Sequence, residues 1–174
     1  MKRILNVGCA GDTYGTDFID LYPSREDVIK LDVNRKKFPY KDGTFDEVYA
    51  RQLVAHLWNP MNFFRESLRV LKKGGRLYIT TDSAGLRGWW SQMCFGSYDK
   101  KHGDMDRYYM LHTTNTVKNL AEVAGFNDID TRYEFIITFK ELTWKLKLMF
   151  IWYHFLSIIS KRFTPNIVLE ARKS

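Results

Sequence analysis

Apolar residues gather in short runs through the first third of the chain. Ile4, Leu5 and Val7 form one run that breaks at Gly8-Cys9-Ala10-Gly11-Asp12. A strand entering a small-residue turn leaves its backbone open to a ligand. Beyond this turn the chain allows two registers. In the first, a helix spans Thr13–Tyr22 and Val28-Ile29-Lys30-Leu31 is the next strand, which puts Asp32 at its tip, about 20 residues on as in dinucleotide-binding folds. That register needs another strand before Phe45, yet Val33–Thr44 has no apolar run and reads as loop. In the second, Asp17-Phe18-Ile19-Asp20-Leu21 and Asp27–Asp32 are successive strands, and Asp20 is the acid placed to accept from a ribose diol. The second fits the later elements better, although only Cys9 to Gly15 then intervene where parallel neighbours usually need a dozen or more residues.

Phe45-Asp46-Glu47-Val48-Tyr49-Ala50 is the fourth strand. Asn59 and Pro60 read as cap and first position of a helix carrying Phe63, Phe64, Ser67, Leu68 and Leu71, ended by Gly74-Gly75. Arg76–Thr81 is the fifth strand. Ser83–Gly103 is irregular, rich in glycine and tryptophan, and placed to act as a lid or substrate-binding element. Thr114–Ala124 reads as a helix stopped by Gly125, and Asp128–Ile137 and Asn166–Lys173 as strands forming an antiparallel end to the sheet. With so little helix among the first three strands, one sheet face is left bare. A parallel sheet is normally covered on both, so the aromatic C-terminal segment or a second subunit is expected to cover it.

Between the last two strands, Leu146–Ile159 is apolar except for Lys147, His154 and Ser157. Fourteen residues fall short of the roughly 18 or more that cross a membrane. Lys140, Lys145, Lys161 and Arg162, with Trp144, Trp152 and Tyr153, suit an interfacial helix. A helix packed on the bare sheet or against a second subunit is the alternative. The segment 140–163 is therefore an insertion before the last strand of a single domain spanning residues 1–174.

Composition narrows the class. Hydrophobic residues make up 45% and aromatics 16% of 174 residues, which argues for a packed core. Two cysteines, Cys9 and Cys94, make no disulfide framework and fit reduced thiols in a cytoplasmic setting. The start, Met1-Lys2-Arg3-Ile4, enters a strand at once, where a signal peptide is not expected. Net charge is +7, and Phe135–Ser174 holds seven Lys or Arg against two Glu, which points to an anionic neighbour or a solvated face. Histidines 56, 102, 112 and 154 have no metal-ligand spacing with the cysteines.

The ordered series (Ile4 to Asp12, the acids Asp20 and Asp32, Phe45–Ala50, and Leu71-Lys72-Lys73-Gly74-Gly75-Arg76-Leu77-Tyr78-Ile79-Thr80-Thr81) resembles the class I S-adenosylmethionine-dependent methyltransferases over roughly residues 3–135. The resemblance implies an α/β, Rossmann-like three-layer fold, mostly parallel with an antiparallel C-terminal strand and reduced helices after strands 1 and 2. It implies that Asn6, Gly8, Cys9, Ala10 and Gly11 wrap the methionine end of S-adenosylmethionine. Asp20 and Leu21 would meet the ribose, Asp32 and Val33 the adenine, and Arg51 and Gln52 the sulfonium end. The chain departs from the usual pattern at Asn6, Ala10, Asp12 and Ala55, where an acid, two glycines and a glutamate are customary. Asp12 can still hold the cofactor's ammonium group, and His56 is retained beside Ala55.

Methyl transfer needs a base only when the acceptor must lose a proton. His56, Tyr108 and His112 are the catalytic candidates. No Asn-Pro-Pro-Tyr-type sequence is present, which disfavours DNA N-methylation. The expected function is methylation of a small-molecule, glycan or lipid-linked acceptor near a membrane surface. Alternatives are an RNA methyltransferase using the basic end for phosphates and a non-catalytic cofactor-binding or partner subunit. A nicotinamide oxidoreductase lacks its third glycine and second mononucleotide half.

Overall fold

In a computed structural model of the chain, residues 2–85, 109–136 and 144–174 are described. Among these residues, seven strands form one sheet: β1 (Ile4–Val7), β2 (Asp17–Asp20), β3 (Val28–Lys30), β4 (Phe45–Arg51), β5 (Leu71–Asp82), β6 (Asn127–Glu134) and β7 (Asn166–Arg172). Their order is β3-β2-β1-β4-β5-β7-β6, and only β7 runs against its neighbours. The second register is the correct one. Phe18 pairs with Asn6 and Val28, and Asp20 and Lys30 end neighbouring strands.

Leu5, Val7, Ile19, Val48, Ala50, Leu77, Ile79, Leu169 and Ala171 share one core. Helices α1 (Pro60–Val70) and α2 (Thr114–Ala124) cover it through Phe63, Phe64, Val117 and Ala121. Thr113 and Thr116 cap α2 reciprocally, and Gly125 at φ 103° closes it. Two expectations about α1 change. Asn59 makes no side-chain cap; it hydrogen-bonds Asn34 twice instead. The helix stops at Val70 because Leu71 is already extended and pairs with Phe45, so Lys72–Gly75 bulge inside β5.

Residues 33–44 form the expected loop, held by α1. Glu66, buried, accepts the Phe38 N–H at 2.8 Å, and Arg69 binds Glu66 at 2.7 Å while donating to the Phe38 and Tyr40 carbonyls.

Among the described residues no helix joins β1 to β2 or β2 to β3, and the far sheet face is covered by side chains instead. Tyr14 folds back over it, 4.7 Å from Tyr49, which stacks on Tyr78 at 5.5 Å. The Tyr14 hydroxyl donates to Glu47, a residue 1% exposed that also pairs with Lys2 at 2.7 Å. Arg25 lies over the Phe18 ring at 4.5 Å, above a small cluster of Cys9, Phe18 and Val28. The C-terminal helix, α3 (Trp144–Ile159), takes a different place. It runs directly into the 3₁₀ turn Lys161–Phe163, and its His154 stacks on Phe135 at 3.9 Å.

Removing Arg69 leaves the Glu66 carboxylate buried without its cation, so Arg69→Ala is expected to lower stability by about 3 kcal/mol in urea denaturation.

Candidate functional site

A cavity of about 370 Å³ opens at the carboxyl ends of β1 to β4, where the strand order reverses between β1 and β4. Ligands of open α/β sheets bind at such a point. The turn after β1 forms one wall. Gly8 takes φ +70° and donates to the Ile19 carbonyl at 2.8 Å. A Cβ on Gly8 would sit 2.8 Å from Leu53 Cδ1, so the Leu53 side chain would have to turn aside, and the positive φ itself favours glycine.

Asp20, at the tip of β2, binds this turn directly. Its Oδ2 accepts from the Ala10 N–H and its Oδ1 from the Tyr22 N–H, both at 2.8 Å. Ala10 sits at φ 46°, a left-handed conformation that this hydrogen bond helps to hold. Asp32 does two jobs: it lines the cavity, and its Oδ1 accepts from the Asn34 N–H at 3.0 Å, capping the following turn. Arg35 pairs with its other oxygen at 3.5 Å and lies over Trp58 at 5.6 Å.

At the end of β4, Gln52 is at φ 56°, pinned by its N–H to the Thr80 carbonyl at 2.8 Å. Arg51 precedes it, exposed, and lines the same cavity as the acids Asp20 and Asp32.

Eight of the eleven cofactor residues expected from the sequence line this cavity: Gly8, Ala10, Asp20, Leu21, Asp32, Val33, Arg51 and Gln52. Asn6, Cys9 and Gly11 do not. The fully buried Asn6 donates to the Tyr14 carbonyl at 2.9 Å and so positions the loop. Cys9 turns its side chain into the cluster behind the turn, where burial first and the Asp20 charge second raise its thiol pKa and keep it protonated. Gly11 lies on the outer side of the turn, with open space where a Cβ would be. Asp12 accepts from the Tyr14 N–H, a loop-capping role.

Of the catalytic candidates, His56 lines the cavity. His112 is fully buried and outside that lining; burial lowers its pKa, with the Val54 backbone opposing, so it stays neutral and braces the core. Tyr108 falls outside the described residues, as does most of the expected lid. Tyr22, Leu31, Asn34, Leu53 and Leu57 also line the cavity, without a motif in the sequence to mark them. Tyr22 had a weaker signal, because an aspartate two residues earlier is the signature of an Asx turn.

Residues 6–79 match the family model of the methyltransferase domain. The sheet order and the crevice at its switch point agree. Over these residues the chain resembles a methyltransferase domain. Phosphoethanolamine N-methyltransferase 1 of Triticum aestivum is 28% identical over 153 aligned positions, covering 74% of this chain and 29% of that protein. The chain thus spans under a third of that curated relative.

Two solved structures share the fold. A methyltransferase from Thermotoga maritima superposes with a TM-score of 0.68 at 16% identity, over 100% of this chain and 83% of that one. Phosphoethanolamine N-methyltransferase 2 of Haemonchus contortus, in complex with S-adenosylmethionine, gives 0.61 at 17% identity over 99% and 48%. The shape is kept at low identity; the family match concentrates on the cofactor half.

The contact at Gly8 is directly testable. Gly8→Ala places a methyl against Leu53 at positive φ, and is expected to cost about 1–3 kcal/mol of stability. Ala10→Gly relieves a left-handed alanine and should be neutral or stabilising, by up to about 1 kcal/mol. Thermal denaturation of both variants checks the pair.

Proposed function

We propose that this chain is an S-adenosylmethionine-dependent methyltransferase domain that methylates a small-molecule or lipid-linked acceptor presented at a membrane surface on the cytoplasmic side. The observation that carries the cofactor assignment is the convergence of Asp20, Asp32 and the Gly8–Ala10 turn on one cavity. The residues present fit the cofactor. The missing side chain at Gly8 leaves backbone accessible for its amino-acid end, and each Asp20 oxygen keeps acceptor capacity beyond its amide hydrogen bond. Asp32 would take the adenine edge, and Arg51, Gln52 and His56, which line the same cavity, would take the reacting end.

The bound cofactor supplies an electrophilic methyl carbon. The protein's work is then to orient the acceptor in line and keep it there. Gln52, held in its strained backbone by Thr80, fixes the position of that wall. Arg51 matches an anionic group on the acceptor, in keeping with the phosphorylated amine named for the wheat relative. His56 is the group in the cavity suited to take a proton from an acceptor that must lose one.

Support for the membrane surface comes from α3. Trp144, Leu148, Ile151, Trp152, Phe155, Ile158 and Ile159 are all exposed. At about 100° per residue they form one stripe roughly 120° wide. Tyr153, on the opposite side, is buried. No described helix is long and apolar enough to cross a membrane. Because β6 ends and β7 begins at the sheet's carboxyl edge, α3 leaves and rejoins the fold on the side where the cavity opens. An apolar stripe with aromatic residues suits the interface between headgroups and acyl chains.

Asp20→Asn removes the charge that would hold the ribose diol and is expected to weaken S-adenosylmethionine about 10- to 100-fold in calorimetry. Unchanged affinity would refute the cofactor assignment. Sedimentation with anionic vesicles tests the surface separately. The full chain should bind, and Trp152→Ser with Phe155→Ser should release it with cofactor affinity intact. Absence of vesicle binding at low salt would defeat the membrane reading alone.

A further inference from the structure

A second cavity, of about 340 Å³, lies at the opposite edge of the sheet. Lys2, Asp46, Lys72, Lys73, Gly74, Gly75, Arg76 and Arg172 line it. These residues come from the amino ends of β1 and β4, the bulge of β5 and the end of antiparallel β7. Five cations therefore converge from β5, β7 and the entry to β1, and a single carboxylate shares the lining.

The ion pairs leave charge over. Lys2 holds Glu47 at 2.7 Å and Lys72 holds Asp46 at 2.8 Å. Arg76 binds Glu170 at 2.9 Å through Nη2 and approaches Glu47 at 3.7 Å through Nη1. Its Nε is buried and makes no hydrogen bond among the described residues. Lys73 has no carboxylate partner among the described residues, and Arg172 donates to the Gly74 carbonyl at 3.1 Å. Two cations thus stand uncompensated beside a buried guanidinium N–H. Like charges gathered on one cavity lining repel, and an anion between them relieves that repulsion.

The floor is a tight glycine turn. Gly74, at φ +71°, turns the chain with open space where a Cβ would be, and a Cβ on Gly75 would fall 2.8 Å from the Lys72 carbonyl, so the bulge itself requires glycine there. Lys173 N–H donates to the Gly75 carbonyl at 3.0 Å and Gly74 N–H to the Lys173 carbonyl at 2.8 Å, which fixes this floor to the C-terminal segment.

We infer that this cavity is a binding site for a compact phosphate anion of two or more charges, such as a diphosphate or a phosphomonoester. A forked guanidinium and flanking ammonium groups match tetrahedral phosphate oxygens. The concave shape favours a small anion over a polymer, whose phosphates would follow a groove. The site is independent of the cofactor cavity, from which the length of the sheet separates it.

The test uses the full chain and sodium diphosphate at low ionic strength, followed by calorimetry and thermal denaturation. Saturable binding with a higher Tm is expected. Lys73→Ala with Arg172→Ala, both exposed positions, should weaken it at least about tenfold while the unliganded Tm and the S-adenosylmethionine affinity stay as in the parent. Lys73→Ala alone gives a milder variant and should show an intermediate loss. The inference is overturned if millimolar diphosphate neither saturates nor stabilises, or if the double variant binds it unchanged. It is equally overturned if an oligoribonucleotide binds through these residues and diphosphate fails to compete.

Discussion

The Asp20 carboxylate is the contact on which the crevice depends. It takes the Ala10 amide with one oxygen and the Tyr22 amide with the other, so the turn after β1 and the turn after β2 are set by the same group. The strands themselves are spaced by their backbone ladder, and this pair of hydrogen bonds sets the turns that follow them. The charge lies at a strand tip, where water and ligand reach it, and charge-assisted hydrogen bonds of this kind are stronger than neutral ones. Gly8 then allows the segment after β4 to close against the same turn, with Leu53 where a side chain would otherwise stand.

The shortened connections have a second effect on the opposite face of the sheet. The role normally given to helices passes to individual side chains: Tyr14 over Tyr49, Tyr49 over Tyr78, and Arg25 over Phe18. Beneath them a buried Glu47 is shared by Lys2 and the Tyr14 hydroxyl. A charge removed from water costs several kcal/mol unless it is paired and hydrogen-bonded, and here both conditions are met. The Asn6 amide holds the loop that carries Tyr14. A position that resembles a cofactor contact in the sequence thus acts one step back, through the loop.

Strand identity and the two acids were legible because each apolar run is short, punctuated and closed by aspartate. The choice between Asp20 and Asp32 as the acid expected to meet a ribose rests on the loop at 33–44, whose lack of an apolar run leaves no alternative strand. Legibility failed where a residue's partner lay far along the chain. Asn59 reads locally as a helix cap, but Asn34 offers it two hydrogen bonds from 25 positions away. Leu71 continues a helical pattern, yet pairing with Phe45 draws it into the sheet. His112 carries no pattern distinguishing a buried brace from a base. The C-terminal segment read correctly as an apolar helix, but its sequence could not say which way its stripe would face, since that depends on Tyr153 turning inward.

In the proposed function, that orientation would govern how an acceptor is found. A stripe on the same edge as the crevice mouth, laid on a surface, would confine the domain to two translations and one rotation. The mouth would then stay at a fixed height above the layer it rests on. An acceptor embedded in that layer would be met by lateral diffusion, and its reactive group would arrive at the same depth each time.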